Sequence, residues 1–129
     1  MKVPGDLKYT KNDEWIKVEG EKGTIGITDF AQDQLSDIVY VEIVVDVGDE
    51  VSRGDSCATI ESVKAAADVY MPVSGVVSAI NEELPDTPEI VNSDPYGAAW
   101  LVKIELSEPS ELDGLLDPAA YQQKIEEEE

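Results

Sequence analysis

Apolar and polar residues alternate along much of the chain, and the alternation predicts strands. Leu7-Lys8-Tyr9 and Glu14-Trp15-Ile16-Lys17-Val18 are two such segments, joined by the turn-rich Lys11-Asn12-Asp13. Gly20-Glu21-Lys22-Gly23 turns the chain into a third, Thr24-Ile25-Gly26-Ile27. Ile38 to Val45 is the richest in β-branched residues, and Val76 to Ile80 and Ala99 to Leu106 complete the set. In this alternation Trp15 and Trp100 fall on positions expected to face a sandwich core.

Helical signals are fewer. Thr28 and Asp29 are good N-caps for a short helix from Phe30 to Leu35, although Gln34 interrupts its apolar face. Asp46 to Val51 reads as a loop, and Asn81 to Ser93, with two prolines and several acids, as a long one. Asp117-Pro118 has the order of a cap followed by a first-turn proline and opens a C-terminal helix. Glu126 to Glu129 reads as a frayed acidic tail. Many short strands with glycine turns predict a mainly β fold, a flattened sandwich or barrel with helices at its margins, built as one domain over residues 1–129. Gly48-Asp49-Glu50-Val51 and Gly75-Val76-Val77 are similar turn-plus-strand units at comparable distances from Lys64. They suggest two related halves meeting at a hairpin.

That hairpin is the centre of the chain. Ala58-Thr59-Ile60 and Val69-Tyr70-Met71 flank Lys64, and Arg53-Gly54-Asp55 and Pro72-Val73-Ser74-Gly75 are turns on either side. Lys64 therefore stands at a hairpin tip, where three roles compete. It is a solvated charge, a handle for covalent attachment, or a catalytic amine. The last requires a pKa well below about 10.4, yet the neighbouring Glu61 and Asp68 favour the protonated form. Small Ala65, Ala66 and Ala67 beside it suit a handle, with Val63 and Glu61 as contacts for an attaching enzyme. Gly75 meets a backbone need, either a positive φ or a close strand approach.

Charge and composition narrow the chemistry. With 29 acidic and 9 basic residues the net charge is −20, which disfavours nucleic acid and anionic membranes and favours basic partner surfaces. The chain contains no histidine, so Ser-His and Cys-His nucleophile pairs and histidine metal ligands are excluded. No metal site is expected. The single Cys57 reads as a buried small hydrophobe and fits a reducing compartment. The N-terminal residues show no signal-peptide pattern, and a cytoplasmic protein is expected.

The segment Glu61-Ser62-Val63-Lys64-Ala65-Ala66, followed by Asp68-Val69-Tyr70 and Pro72-Val73-Ser74-Gly75, resembles the lipoylation site of the glycine cleavage system H protein family. Asp13-Glu14-Trp15, Gly26-Ile27-Thr28-Asp29-Phe30-Ala31-Gln32, and Val91 to Gly97 with Trp100-Leu101 resemble that family in the same order. The resemblance implies a hammerhead-type carrier fold, and a non-enzymatic carrier with lipoate in amide linkage to Lys64. It further implies that Glu61, Val63, Ala65 and Gly75 are read by the lipoylating enzyme, and that Glu14 and Asp68 line a cleft for the aminomethyl-loaded arm. The implied partners are a pyridoxal-phosphate-dependent glycine decarboxylase, a tetrahydrofolate-dependent aminomethyltransferase, dihydrolipoyl dehydrogenase and the lipoylating enzyme. The carrier itself is expected to be a monomer.

Some positions depart from the family pattern. Asp13 stands where a histidine commonly precedes Glu-Trp, Phe30 and Gln34 fill positions that are histidine in some relatives, and Ala67 replaces a commoner serine. The alternatives are an H-like relay of lipoyl groups to other proteins, a biotin carrier, a lysine-dependent enzyme and a purely structural protein. Val63 and Ala65 in place of the usual methionines argue against biotin.

Overall fold

The predicted strands assemble into two antiparallel sheets in a computed structural model that describes residues 2–128. The larger sheet has six strands in the spatial order β1 (Lys8–Tyr9), β2 (Glu14–Glu19), β3 (Lys22–Ile27), β9 (Val102–Leu106), β8 (Gly75–Ile80) and β5 (Glu50–Val51). The smaller contains β4 (Ile38–Ile43), β6 (Ser56–Ser62) and β7 (Ala66–Tyr70) in that order. Neither sheet closes on itself, so the chain takes the sandwich form rather than the barrel.

The face-to-face core is aliphatic, with Ile16, Ile25, Val41, Ile60, Val77 and Ile104 among its buried residues. Strand geometry sends successive side chains to opposite faces, which separates Trp15 from Ile16. Ile16 enters the core between the sheets. Trp15 joins Leu7, Tyr9, Phe30, Tyr121 and Ile125 in a second apolar cluster. Both tryptophans therefore lie outside the sandwich core expected for them. Trp15 is buried in the second cluster with its indole N–H donating to the Pro95 carbonyl at 3.0 Å. Trp100 is half-buried against the same cluster, with the Lys103 ammonium 4.9 Å from its ring centroid.

Helix α1 (Asp29–Leu35) is capped as expected, the Thr28 hydroxyl accepting from the Ala31 amide at 3.2 Å. The segment 46–51, expected as loop, contributes β5. The segment 81–93 is not a plain loop, because it winds into a 3-10 turn at Leu84–Asp86 and a short helix α2 (Ile90–Ser93). Leu84 and Val91 drive this by burying in the core. A second 3-10 turn, Pro109–Gly114, precedes helix α3 (Pro118–Glu128), which includes Glu126 to Glu128 of the acidic tail; Glu129 lies outside the described residues.

The two turn-plus-strand units pair with each other. Glu50 lies opposite Val76 and Val51 opposite Gly75, and the Gly48 amide donates to the Val77 carbonyl at 2.8 Å. Gly75 answers the second of its two expected needs. Its φ is not positive, but a Cβ there would sit 2.5 Å from the Glu105 carbonyl oxygen.

Candidate functional site

The β6–β7 hairpin ends with Glu61 opposite Ala66, and Ser62 closes the loop beyond. The Ser62 amide donates to the Ala65 carbonyl at 2.7 Å, leaving Val63 and Lys64 at the turn. Two-residue hairpins usually need positive φ, which neither residue has. The Ser62 hydroxyl compensates, accepting from the amides of Lys64 at 3.3 Å and Ala65 at 3.0 Å. The tip is also held from the side. The Val63 amide donates to the Asp37 carbonyl at 3.1 Å, and the adjacent Ile38 amide donates to the Asn92 side-chain oxygen at 2.8 Å. Asn92 thus supports the hairpin from the side. Tyr96 serves a different end, accepting from the Asp29 amide and donating to the Lys2 carbonyl.

Lys64 is exposed and takes part in no ion pair among the described residues, where both ion pairs belong to Lys124. Glu61, Val63 and Ala65 are exposed around it. The tip therefore presents an exposed amine on a fixed backbone, which is the geometry of a handle. Lys64 is exposed, whereas a catalytic lysine needs an enclosing apolar pocket.

A cavity of about 680 Å³ opens at the other end of β7, lined by Thr10, Glu14, Arg53, Tyr70, Leu115 and Leu116 among others. Glu14 is only 2% exposed. The Thr10 hydroxyl donates to one carboxyl oxygen at 2.6 Å and the Tyr70 amide to the other at 3.2 Å. Burial raises its pKa to about 7; the two hydrogen bonds oppose the rise and the charge of Asp13 adds to it. A carboxyl so placed can hold a cation or carry a proton near neutral pH. Burial also pushes the Cys57 thiol up to about 12, so it is an inert core residue.

Asp68 does not line this cavity. It is exposed on β7, accepts from the Thr59 hydroxyl at 3.2 Å, and shares an exposed face with Ala66 and Tyr70. It stands midway along the roughly 13 Å of strand between the hairpin tip and the cavity. Gly75 lies beyond the base of the hairpin, away from Lys64. Thr10, the Tyr70 amide and the Leu115–Leu116 wall escaped sequence reasoning, because they come from distant segments and carry no periodic signal. Among the described residues no three ligating side chains cluster as a metal site. None of their helices is long and apolar enough to cross a membrane.

Residues 7–128 match the family model described as "Glycine cleavage H-protein". The glycine cleavage system H protein of Carboxydothermus hydrogenoformans is 56% identical over 126 residues, covering 98% of this chain and 96% of that protein. The protein of the same name from Staphylococcus haemolyticus is 53% identical over 127 residues, 98% of this chain and 100% of the relative. A crystal structure of a glycine cleavage system H protein from Mycobacterium marinum superposes with a TM-score of 0.84 at 34% identity, covering 95% of this chain and 98% of that one.

Proposed function

Because this chain belongs to the glycine cleavage H-protein family, we propose that it works as a single lipoyl-carrier domain with lipoate in amide linkage to Lys64. A member of this family is a non-catalytic carrier component of the glycine cleavage system. The observation that supports Lys64 as the attachment point is its presentation, an exposed amine without an ion pair among the described residues, on a hairpin tip fixed by Ser62, Asp37 and Asn92. The residues present fit the group, since an extended acyl arm needs clearance on all sides and the alanines beside Lys64 leave it.

Bound lipoate supplies a disulfide that accepts both a one-carbon amine unit and electrons. The protein's part is tethering, which raises the local concentration at each docked enzyme, and shelter. Glu14 is proposed as the shelter's anion. Its carboxyl, held by Thr10 and Tyr70, faces the cavity as a partner for a cationic amine, and the apolar Leu115 and Leu116 lie in the same lining. Asp68 marks the path along β7 between the tip and that cavity. The proposed partners are the glycine decarboxylase, the aminomethyltransferase, dihydrolipoyl dehydrogenase and the lipoylating enzyme, met by a monomer in the cytoplasm.

Intact mass of protein from its own host tests this reading. A lipoyl increment that disappears in Lys64→Arg is the expected result, and an unmodified or biotinylated chain overturns it. Glycine–bicarbonate exchange with the decarboxylase then separates the glycine shuttle from a relay of lipoyl groups.

A further inference from the structure

Strand β4 is an edge of the three-stranded sheet, and its outer face carries an irregularity close to the hairpin tip. Ile38 lies opposite Ser62 and Tyr40 opposite Glu61, so the register shifts by one residue at Val39. In a regular strand Ile38 and Tyr40 would face the same side. The bulge breaks that rule. Ile38 stays buried, whereas Val39 is 55% exposed and Tyr40 43% exposed, leaving two consecutive large apolar residues facing solvent.

Register places these residues beside the lysine. Tyr40 pairs with Glu61, and Glu61 pairs with Ala66, so the three form one row across the sheet immediately below the tip. Val63, 66% exposed, sits above that row and is bonded to the carbonyl of Asp37 at the start of β4. On the far side of Tyr40 a groove of about 370 Å³ runs along β4 to Pro85, with Glu42 and Glu82 in its lining. The whole makes an apolar surface rimmed by the acids Asp37, Glu42, Glu61 and Glu82. Edge strands commonly hide such residues because they invite association.

We propose that Tyr40, with Val39 and Val63, is the docking contact for the enzyme that acylates Lys64, a partner offering an apolar pocket with a basic rim. This rests on the lipoyl reading of Lys64. Reach selects the occupant. A bare lysine amine extends only about 6 Å from its Cα, so an enzyme acting on the amine must descend onto the tip and cover the Tyr40–Glu61–Ala66 row. Enzymes that use the loaded arm act from further away. A second copy of this chain is a poor occupant, because two surfaces of net charge −20 repel. In the acylation itself the deprotonated Lys64 nitrogen attacks the carbonyl of an acyl-adenylate. The C–N bond forms, the C–O bond to the phosphate breaks, AMP departs, and the second amine proton passes to solvent.

The test is acylation of the unmodified protein by a lipoylating enzyme with lipoate and ATP, followed by intact mass. Tyr40→Ser and Val39→Ser are compared with Val44→Ser, an exposed apolar control beyond the end of β4, with thermal unfolding confirming that all three remain folded. The expected result is a fall of about tenfold in kcat/KM for Tyr40→Ser, carried by KM, with the control unchanged. Added salt should lower kcat/KM for the wild type. Acylation of Tyr40→Ser and Val39→Ser within twofold of the wild type overturns the docking contact and leaves the lipoyl reading standing. A wild-type chain that is never acylated overturns both.

Discussion

The Tyr70 amide donates to the carboxylate of Glu14 at 3.2 Å, so a buried acid on β2 of one sheet is bonded to the end of β7 in the other. The same acid faces the cavity, which makes the join between the sheets part of the candidate site.

Glu14 should make stability depend on pH. Its folded pKa of about 7 lies above its ordinary value of 4.5, so between those two values the folded protein binds the proton more tightly than the unfolded chain. The stabilisation is complete below pH 4.5, declines as pH rises toward 7, and is gone above it. Urea unfolding from pH 4 to 8 should show the wild type losing on the order of 3 kcal/mol relative to Glu14→Gln across that window. A constant difference between the two proteins refutes the assignment.

Helix α3 is tied to the residue preceding Glu14. The Tyr121 hydroxyl donates to Asp13 at 3.0 Å and shares a 2.6 Å hydrogen bond with Thr28, while its ring stacks on Tyr9 at 4.6 Å. Tyr121→Phe keeps the stacking and removes both bonds, leaving the buried Thr28 hydroxyl proton without an acceptor while its oxygen still accepts from the Ala31 amide. A loss of about 1–3 kcal/mol in denaturant unfolding is expected. The Lys124–Asp13 contact at 3.4 Å is partly exposed, and Lys124→Met should cost under about 1 kcal/mol.

Gly75→Ala should destabilise the isolated protein without any enzyme present. The added methyl meets the Glu105 carbonyl and Ile104, so β8 and β9 must separate or shift register. A loss of more than about 2 kcal/mol in thermal unfolding is expected. Unchanged stability together with failed lipoylation would instead make Gly75 a recognition residue.

Ser62→Ala tests the tip alone. Removing the hydroxyl frees the amides of Lys64 and Ala65, which are exposed to water, so global stability should change by less than about 1 kcal/mol. Hydrogen exchange at those two amides should accelerate well beyond that of the rest of the hairpin.

Strands and the α1 cap were readable in the sequence because they follow local rules, a period of two and a Thr that accepts from the third amide beyond it. The hairpin around Lys64 was readable for the same reason. What local rules could not supply were facts of assembly. Trp15 shows the limit, since alternation tells that Trp15 and Ile16 face opposite ways but not that α3 waits on the Trp15 side. Glu14 shows it again. Among 29 acids nothing in the sequence marks it as buried, because its burial comes from Thr10, Tyr70 and Leu116 converging from three segments. The bulge at Val39 is likewise invisible in a segment rich in β-branched residues, Ile38 to Val45, with no glycine or proline to mark it.

The position of β9 has a consequence for synthesis. It lies between β3 and β8 in the six-stranded sheet, although it is the last strand in sequence order among the described residues. Until residues 102–106 leave the ribosome, the N-terminal strands and the β5–β8 pair have no shared neighbour and the larger sheet cannot be completed. Sheet completion therefore waits until β9 has been synthesised, and a nascent chain cut short before β9 exposes the inner faces of two half-sheets.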